Sequence, residues 1–310
     1  MRIFNDWRGL PPDARGASVA LGNFDGVHLG HALLVRAAHA ARPDLPLAVL
    51  TFEPHPREVF RPDDPPFHLT LPEDRARLLA GLGVRLIYQI PFDAAFAHLS
   101  PEQFVHDVLH AGIGAGHIAC GPDFAFGHRR GGDTGFLAQR SEALGLGLTL
   151  VPPLADSTGP YSSSRVRRAL QDGYPERAAN VLGRPWSISG VVAHGDARGR
   201  TIGFPTANVA LGRHLEPARG VYAVRVALAD GQVLGGVANI GRRPTVALGA
   251  ESRLEAHIFD FDGDLYDQTI VVSLCAFLRE EKKFPSFDVL RAQIACDASD
   301  ARAALAALSE

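Results

Sequence analysis

Lysine is almost missing from this 310-residue chain. It occurs at Lys282 and Lys283 only, and arginine supplies the rest of the fixed positive charge. That excludes a P-loop, which sets a lysine directly behind a glycine-rich turn, because neither lysine follows a glycine. Phosphate chemistry here must rest on backbone amides, arginine, histidine or a metal ion. Cysteine is scarce as well: Cys120, Cys275 and Cys296 are scattered and odd in number, with no C-x-x-C pair. This excludes a disulfide framework and predicts reduced thiols in a cytoplasmic protein. No apolar run is long enough to span a bilayer, and the residues after Met1 lack the apolar segment of a signal peptide. A formal charge of −3 argues against nucleic acid and anionic membrane as partners. A dinucleotide fingerprint is absent too: the glycines at Gly112, Gly114 and Gly116 end a predicted helix and precede a strand, the reverse of what that motif needs.

What is present is organised around residues 22–31, Gly-Asn-Phe-Asp-Gly-Val-His-Leu-Gly-His. An apolar run, Ala17 to Leu21, reads as a buried strand before it, and Ala32 to Ala38 reads as a helix after it. A strand, a glycine-bearing loop and a helix start make an anion site, since free N–H groups and the positive dipole end converge there. His28 and His31, three residues apart at the helix start, can face one side and donate to phosphoryl oxygens. By spacing alone the same pair serves equally as polar surface, as a helix cap or as half of a zinc site, although no further ligand stands at zinc spacing.

The first half alternates predicted strands (Leu47–Phe52, Leu86–Ile90, His117–Cys120, Leu148–Val151) with helices, one over Pro72–Leu82 and one opened by Ser100, Pro101 and Gln103 as cap, N1 proline and N3 partner. This rhythm predicts an α/β fold, a doubly wound, Rossmann-like layer with a mainly parallel sheet, whose ligands bind beyond the carboxyl ends of the strands. Two more loops end strands. Glu53-Pro54-His55-Pro56 reads as a proline-stiffened turn. The stretch from Gly121 to Asp133 carries Asp123, Phe124 and Phe126, and its rings either meet a flat ligand or pack under the loop. Ser162, Ser163 and Ser164 open another helix, with Arg165, Arg167 and Arg168 behind them. The hydroxyls cap it or hold phosphate, and the arginines add bidentate donors or merely a basic surface.

After a short helix, Glu176 to Leu182, closely spaced strands take over: Ser187–Val192, Gly220–Leu228, Val233–Ile240, Leu254–Phe259 and Thr269–Leu278. A terminal amphipathic helix over Ser286–Leu308 completes a predicted small antiparallel β-barrel. The boundary is placed so that residues 1–183 and 184–310 form the two domains. Residues 195–208, Gly-Asp-Ala-Arg-Gly-Arg-Thr-Ile-Gly-Phe-Pro-Thr-Ala-Asn, read as a turn, with Gly195, Gly199 and Gly203 at four-residue spacing and Thr206 and Asn208 as oxygen ligands suited to a hard cation. Strand alternation sets Glu255 on the face of His257, opposite Leu254.

Taken in order, these strings resemble the bacterial bifunctional riboflavin kinase/FAD synthetase family. Residues 22–31 are similar to its nucleotidyltransferase signature, 121–127 to its Gly-x-Asp-Phe-x-Phe-Gly segment, 161–167 to Ile-Ser-Ser-Thr-x-Ile-Arg, and 203–208 to the kinase signature Gly-Phe-Pro-Thr-Ala-Asn. The resemblance implies ATP-dependent phosphorylation of riboflavin to FMN, then adenylylation of FMN to FAD with release of pyrophosphate. It implies His28, His31 and Arg167 as catalytic groups of adenylyl transfer. Gly22, Asn23, Phe24, Asp25, Gly30, Ser163, Ser164, Gly195, Gly199 and Gly203 would bind nucleotide, and Asp123, Phe124 and Phe126 would bind flavin. Thr206 and Asn208 would hold Mg2+, and Glu255 would be the kinase base. Three positions depart from the pattern: Tyr161 for Ile or Val, Arg242 for a small residue, and Asp267 for a glycine, which questions the backbone angle of that turn. Two other readings stand beside this one, an adenylyltransferase for a different phosphate compound and a non-catalytic flavin-responsive binding protein. The oligomeric state is left open.

Overall fold

A computed structural model describes residues 1–194, 204–243 and 251–308, with the side chains of 242, 243 and 251 left out. Gly195, Gly199 and Gly203 therefore lie outside the described residues, as does the Arg242 side chain. Packing divides the chain into two compact units. One comprises Met1–Asp64 and Pro72–Ser162; the other comprises Pro65–Leu71 and Ser163–Glu310.

The first unit runs β1 (Arg2–Phe4), β2 (Ser18–Leu21), α1 (Leu29–Ala41), β3 (Leu47–Phe52), α2 (Pro56–Phe60), α3 (Pro72–Gly81), β4 (Leu86–Ile90) and α4 (Ala94–Ala97). Then come α5 (Pro101–Gln103), which continues as π-helical turns over Phe104–Gly112, β5 (His117–Cys120), α6 (Thr134–Leu144) and β6 (Gly147–Leu150). A small ribbon, β7 (Ala155–Asp156) and β8 (Gly159–Pro160), follows. The sheet order is β1-β4-β3-β2-β5-β6, parallel throughout. Its strands are near-continuous apolar runs because both faces are covered. Val19 and Leu21 of β2 enter one core with Phe104 and Val108, while Ala20 enters the other with Val35 and Ala38 of α1. The expected cap of α5 forms as a capping box between Ser100 and Gln103. The chain leaves β2 for β3 on one side, and β5 lies on the other side of β2. The carboxyl ends of β2 and β5 thus flank the topological switch point, where such sheets bind ligands.

The second unit runs α7 (Ser163–Gln171), α8 (Pro175–Leu182), β9 (Trp186–Val191), β10 (Ala207–Ala210), β11 (Gly220–Ala227), β12 (Val233–Arg243), β13 (Glu251–Ile258), β14 (Thr269–Arg279) and α9 (Phe287–Ala307). The strands pair antiparallel in the order β10-β13-β12-β11-β14-β9. The Ala193 amide donates to the Asn208 carbonyl at 2.9 Å, so the two end strands meet and the sheet is nearly closed into a barrel. Closure brings β9 and β10 so near that a Cβ on Gly190 would stand 2.5 Å from Val209 Cγ1. One strand face fills the barrel with residues such as Leu254, Ile188 and Val272; on the other face, Val221, Ala223 and Val237 are covered by Ala301 and Leu305 of α9.

Two features differ from the sequence reading. Ala207–Ala210, read as part of a turn, is a strand, because pairing with β13 supplies hydrogen bonds that four residues cannot signal by periodicity. The strap Pro65–Leu71 also belongs with the second unit. Trp186 Nε1 donates to the Leu69 carbonyl at 2.8 Å, the His68 amide to Arg213 O at 3.2 Å, and the Leu215 amide to His68 O at 2.9 Å.

The Asp267 departure is resolved: the residue holds φ +60°, the left-handed conformation that glycine takes without strain, and its amide donates to Val192 O at 3.0 Å. Asp267→Val, which adds a β-branch at that angle, should lower stability by about 1–2 kcal/mol, the cost of a left-handed L-residue, whereas Asp267→Gly should melt at or above the parent temperature. A thermal melt of both variants checks this, and equal melting of the Val variant and the parent would show that the turn is not constrained.

Candidate functional site

The loop behind β2 is shaped by backbone that most residues avoid. Phe24 has φ +53°, Gly26 φ +84° and Val27 φ +41°. A β-branched residue at positive φ is strained and persists only where its surroundings over-determine it. Here Phe24 is fully buried, and the Val27 amide closes onto Phe24 O at 3.1 Å. Neighbouring strand β3 adds Thr51 Oγ1 donating to Asn23 O at 3.0 Å, and Leu50 O accepting from the Gly22 amide at 3.2 Å. Within this loop Asn23 is exposed and Asp25 is buried.

The turn delivers His28 as the N-cap of α1, where its Nδ1 accepts the His31 amide at 3.2 Å. A ring nitrogen that accepts carries no proton, so neutral His28 keeps its N–H at Nε2. The His28 and His31 rings stack at 3.6 Å between centroids and 18° between planes, and Phe24 stands 5.0 Å from His31. Gly30 makes room for this: a Cβ there would lie 3.1 Å from the His28 ring and 3.4 Å from Tyr161 O. His31 Nδ1 is enclosed without a hydrogen-bond partner among the described residues, and burial first, then neighbouring His28, pushes the His31 pKa well below 6.5. The site thus holds a stacked imidazole pair at a helix N-terminus, with His31 disfavoured as a cation by burial. No group of three His, Cys, Asp or Glu among the described residues is placed to hold a metal ion, which leaves the zinc reading without support.

At the end of β5, Asp123 is exposed and Phe124 half-buried, while Phe126 is enclosed in the core. Their rings lie 5.6 Å apart at 23°, and Phe104 backs both, at 6.5 Å from Phe124 and 5.1 Å from Phe126. The surface this pair offers a ligand is therefore on the Phe124 side.

Ser163 and Ser164 begin α7, whose Val166 and Leu170 are buried one turn apart. Arg167 beside them donates Nε–H to the Phe67 carbonyl at 2.9 Å, and its guanidinium carbon lies 5.3 Å from the Phe67 ring centre.

In the barrel, Asn208 of β10, Glu255 of β13 and Asn239 of β12 are direct cross-strand partners, so three polar side chains stand in one row on one face. Glu255 and His257 are half-buried while Leu254 and Ala256 are buried, as the alternation predicts. Asn208 is buried; its Nδ2 donates to Thr206 O at 3.3 Å and its Oδ1 has no hydrogen-bond partner among the described residues. A buried, orphaned carbonyl oxygen is costly unless something polar is meant to meet it. A hard cation fits that donor. Thr206 and Asn208 also line a cavity of about 510 Å³, closed on its other side by Asp262, Asp264 and Tyr266. Tyr266 stacks on His194 at 3.9 Å. Asn239 escaped the sequence reading as a site residue, as did Glu281, whose Oε1 accepts from Asn239 Nδ2 at 3.3 Å. The signal for Asn239 was its two-residue spacing from Val237, a position on the α9-covered face. Glu281 lies beyond β14 and had none.

Comparison with known proteins bears on both units. A family model described as FAD synthetase matches residues 10–165, and one described as riboflavin kinase matches residues 182–305. A curated bifunctional riboflavin kinase/FMN adenylyltransferase from Escherichia coli is 43% identical over 93% of this chain and 92% of its own length. This chain belongs to that family. A Bacillus subtilis member is 39% identical over 91% of the chain and 90% of its own length. A solved Streptococcus pneumoniae structure, described as a macrolide-efflux protein, shares the fold at a TM-score of 0.84 and 36% identity, covering 96% of each chain. In this family member, no helix among the described residues is long and apolar enough to cross a membrane.

The depressed pKa of His31 has a thermodynamic consequence. Between that pKa and the usual 6.5 the unfolded chain binds a proton that the folded chain refuses, so this group makes stability rise with pH up to about 6.5 and leaves it flat above. His31→Gln should reduce the drop in melting temperature between pH 7 and pH 5. An identical drop in the variant and the parent would contradict the buried neutral imidazole.

Proposed function

We propose that this chain carries out both reactions of its family: transfer of the ATP γ-phosphoryl group to riboflavin, giving FMN and ADP, and transfer of the ATP adenylyl group to FMN, giving FAD and pyrophosphate. The observation that carries the reading is the row Asn208–Glu255–Asn239, which puts an unpartnered buried oxygen directly across the strand pair from a half-buried carboxylate. In the first reaction the nucleophile is the neutral 5′-hydroxyl of riboflavin, and Glu255 takes its proton as the O–P bond forms. Thr206 and Asn208 are the residues that would hold Mg2+, which would supply positive charge to offset the charge developing on the leaving ADP. The resemblance adds Gly195, Gly199 and Gly203 as nucleotide-binding positions.

In the second reaction the nucleophile is an FMN phosphate oxygen, already ionised, so no base is required. The task is to align two anions and stabilise the charge that builds at the α-phosphorus. The stacked His28–His31 pair, with His31 kept uncharged by burial, suits that task through its N–H groups, and the motif match adds Arg167, Ser163 and Ser164. The loop positions Gly22, Asn23, Phe24, Asp25 and Gly30 serve nucleotide binding partly through backbone, and Asp123 and Phe124 serve the flavin, with the buried Phe126 only backing Phe124 from the core. The division of the two chemistries is placed at 183/184, because every residue assigned to adenylylation precedes it and every residue assigned to phosphorylation follows it. The net charge and absence of a spanning helix among the described residues support a cytoplasmic enzyme without nucleic-acid or membrane partners.

Incubation with riboflavin, ATP and Mg2+, followed by chromatographic separation of the flavins, should show FMN and then FAD. ATP turnover indifferent to riboflavin, or flavin bound without turnover, would overturn the reading. His28→Ala or His31→Ala should cut FAD formation about a hundredfold or more and spare FMN formation. Glu255→Gln should cut FMN formation by about a hundred- to ten-thousandfold while supplied FMN still becomes FAD. Parental rates in these variants would remove the assigned roles.

A further inference from the structure

We infer that Phe67 is a positioning residue for Arg167 in FAD formation, an inference that rests on the assignment of Arg167 to adenylyl transfer. Arginine is rich in rotamers, and one projecting from a short helix is not fixed by the helix alone. A single residue holds Arg167 in two ways. The Phe67 carbonyl accepts Nε–H at 2.9 Å, and the Phe67 ring lies under the guanidinium at 5.3 Å, within cation–π range. The carbonyl sets the direction of the guanidinium edge, and the ring face sets its plane.

Phe67 is itself immobilised. It is 4% exposed and belongs to the strap Pro65–Leu71, whose His68 and Leu69 are bonded to the barrel segments of the same unit. His68 bonds Arg213 and Leu215 through its own amide and carbonyl, forming a parallel bridge with His214, and the fully buried Leu69 accepts from Trp186. A guanidinium set in this way is oriented before substrate arrives, which is what charge stabilisation at a phosphorus requires, since small displacements of such groups are costly. Position 67 lies outside the motifs quoted for the family.

The full-length protein with Phe67→Leu, Phe67→Met, Phe67→Tyr and Arg167→Ala, together with the double variant Phe67→Leu/Arg167→Ala, tests this. The readouts are FAD formation from FMN, FMN formation from riboflavin, and melting temperature. Removing the ring face in the Leu and Met variants should lower kcat for FAD formation about three- to thirtyfold, the cation–π range, with a smaller change in KM for FMN. Phe67→Tyr, which keeps the face, should restore the parental kcat. FMN formation should be unchanged in all of them. In the Arg167→Ala background Phe67→Leu should cost nothing further, because its effect passes through the missing guanidinium. If Arg167→Ala leaves FAD formation intact, the assignment of Arg167 falls and this inference with it. A large loss in Arg167→Ala alongside parental kcat in the Leu and Met variants overturns the role of Phe67 alone. An undiminished Phe67→Leu loss in the double variant, or a parallel loss of both activities with a lowered melting temperature, does the same, since it reads as packing.

Discussion

The burial of Phe24 against the sheet is the constraint on which the histidine site depends. A ring fully withdrawn from water holds its own backbone in the left-handed region and closes a turn that Val27 would not choose. That turn lets the chain pass from the end of β2 to the start of α1 within a few residues, and it leaves His28 capping the helix with His31 stacked on it. Hydrophobic burial thus offsets the strain, and the strain aims two imidazoles at a helix N-terminus. Burial first, and then the neighbouring His28, disfavours charge on His31.

The barrel solves the opposite problem by a different route. Strand register needs no strain, and it sets Asn208, Glu255 and Asn239 side by side because directly paired residues share a face. The barrel closes where Ala193 meets Asn208, so the strand that bears the orphaned amide oxygen is also the one that seals the sheet. The proposed base, Glu255, stands on this paired lattice, and the proposed donors, His28 and His31, stand behind a strained loop.

Much of this was legible in the sequence. Strands β2 to β5 announced themselves as apolar runs because both sheet faces are covered, and the Ser100–Gln103 capping box is a local signal read locally. Asp267 showed as an anomaly at a glycine position, and its backbone bears the glycine-like angle. What escaped was tertiary. Ala207–Ala210 is a strand only because β13 lies beside it, and an orphaned oxygen on Asn208 is a property of burial rather than of residue type. The strap Pro65–Leu71 carries no periodicity that points to the barrel, 100 residues from Phe67 to the Arg167 it grips. Phe126 shows the same limit: a ring in a glycine-rich loop looks available until the fold places it in the core.

On the proposed reading, phosphorylation and adenylylation rest on two different sets of residues, so that either can be lost without the other. The most direct measurement mixes two crippled proteins, one carrying His28→Ala and the other Glu255→Gln, with riboflavin, ATP and Mg2+. Each alone should make little or no FAD. Together they should make it, because the first protein releases FMN that the second adenylylates. A mixture as barren as its components, although FMN accumulates and the second protein accepts supplied FMN, would contradict the account.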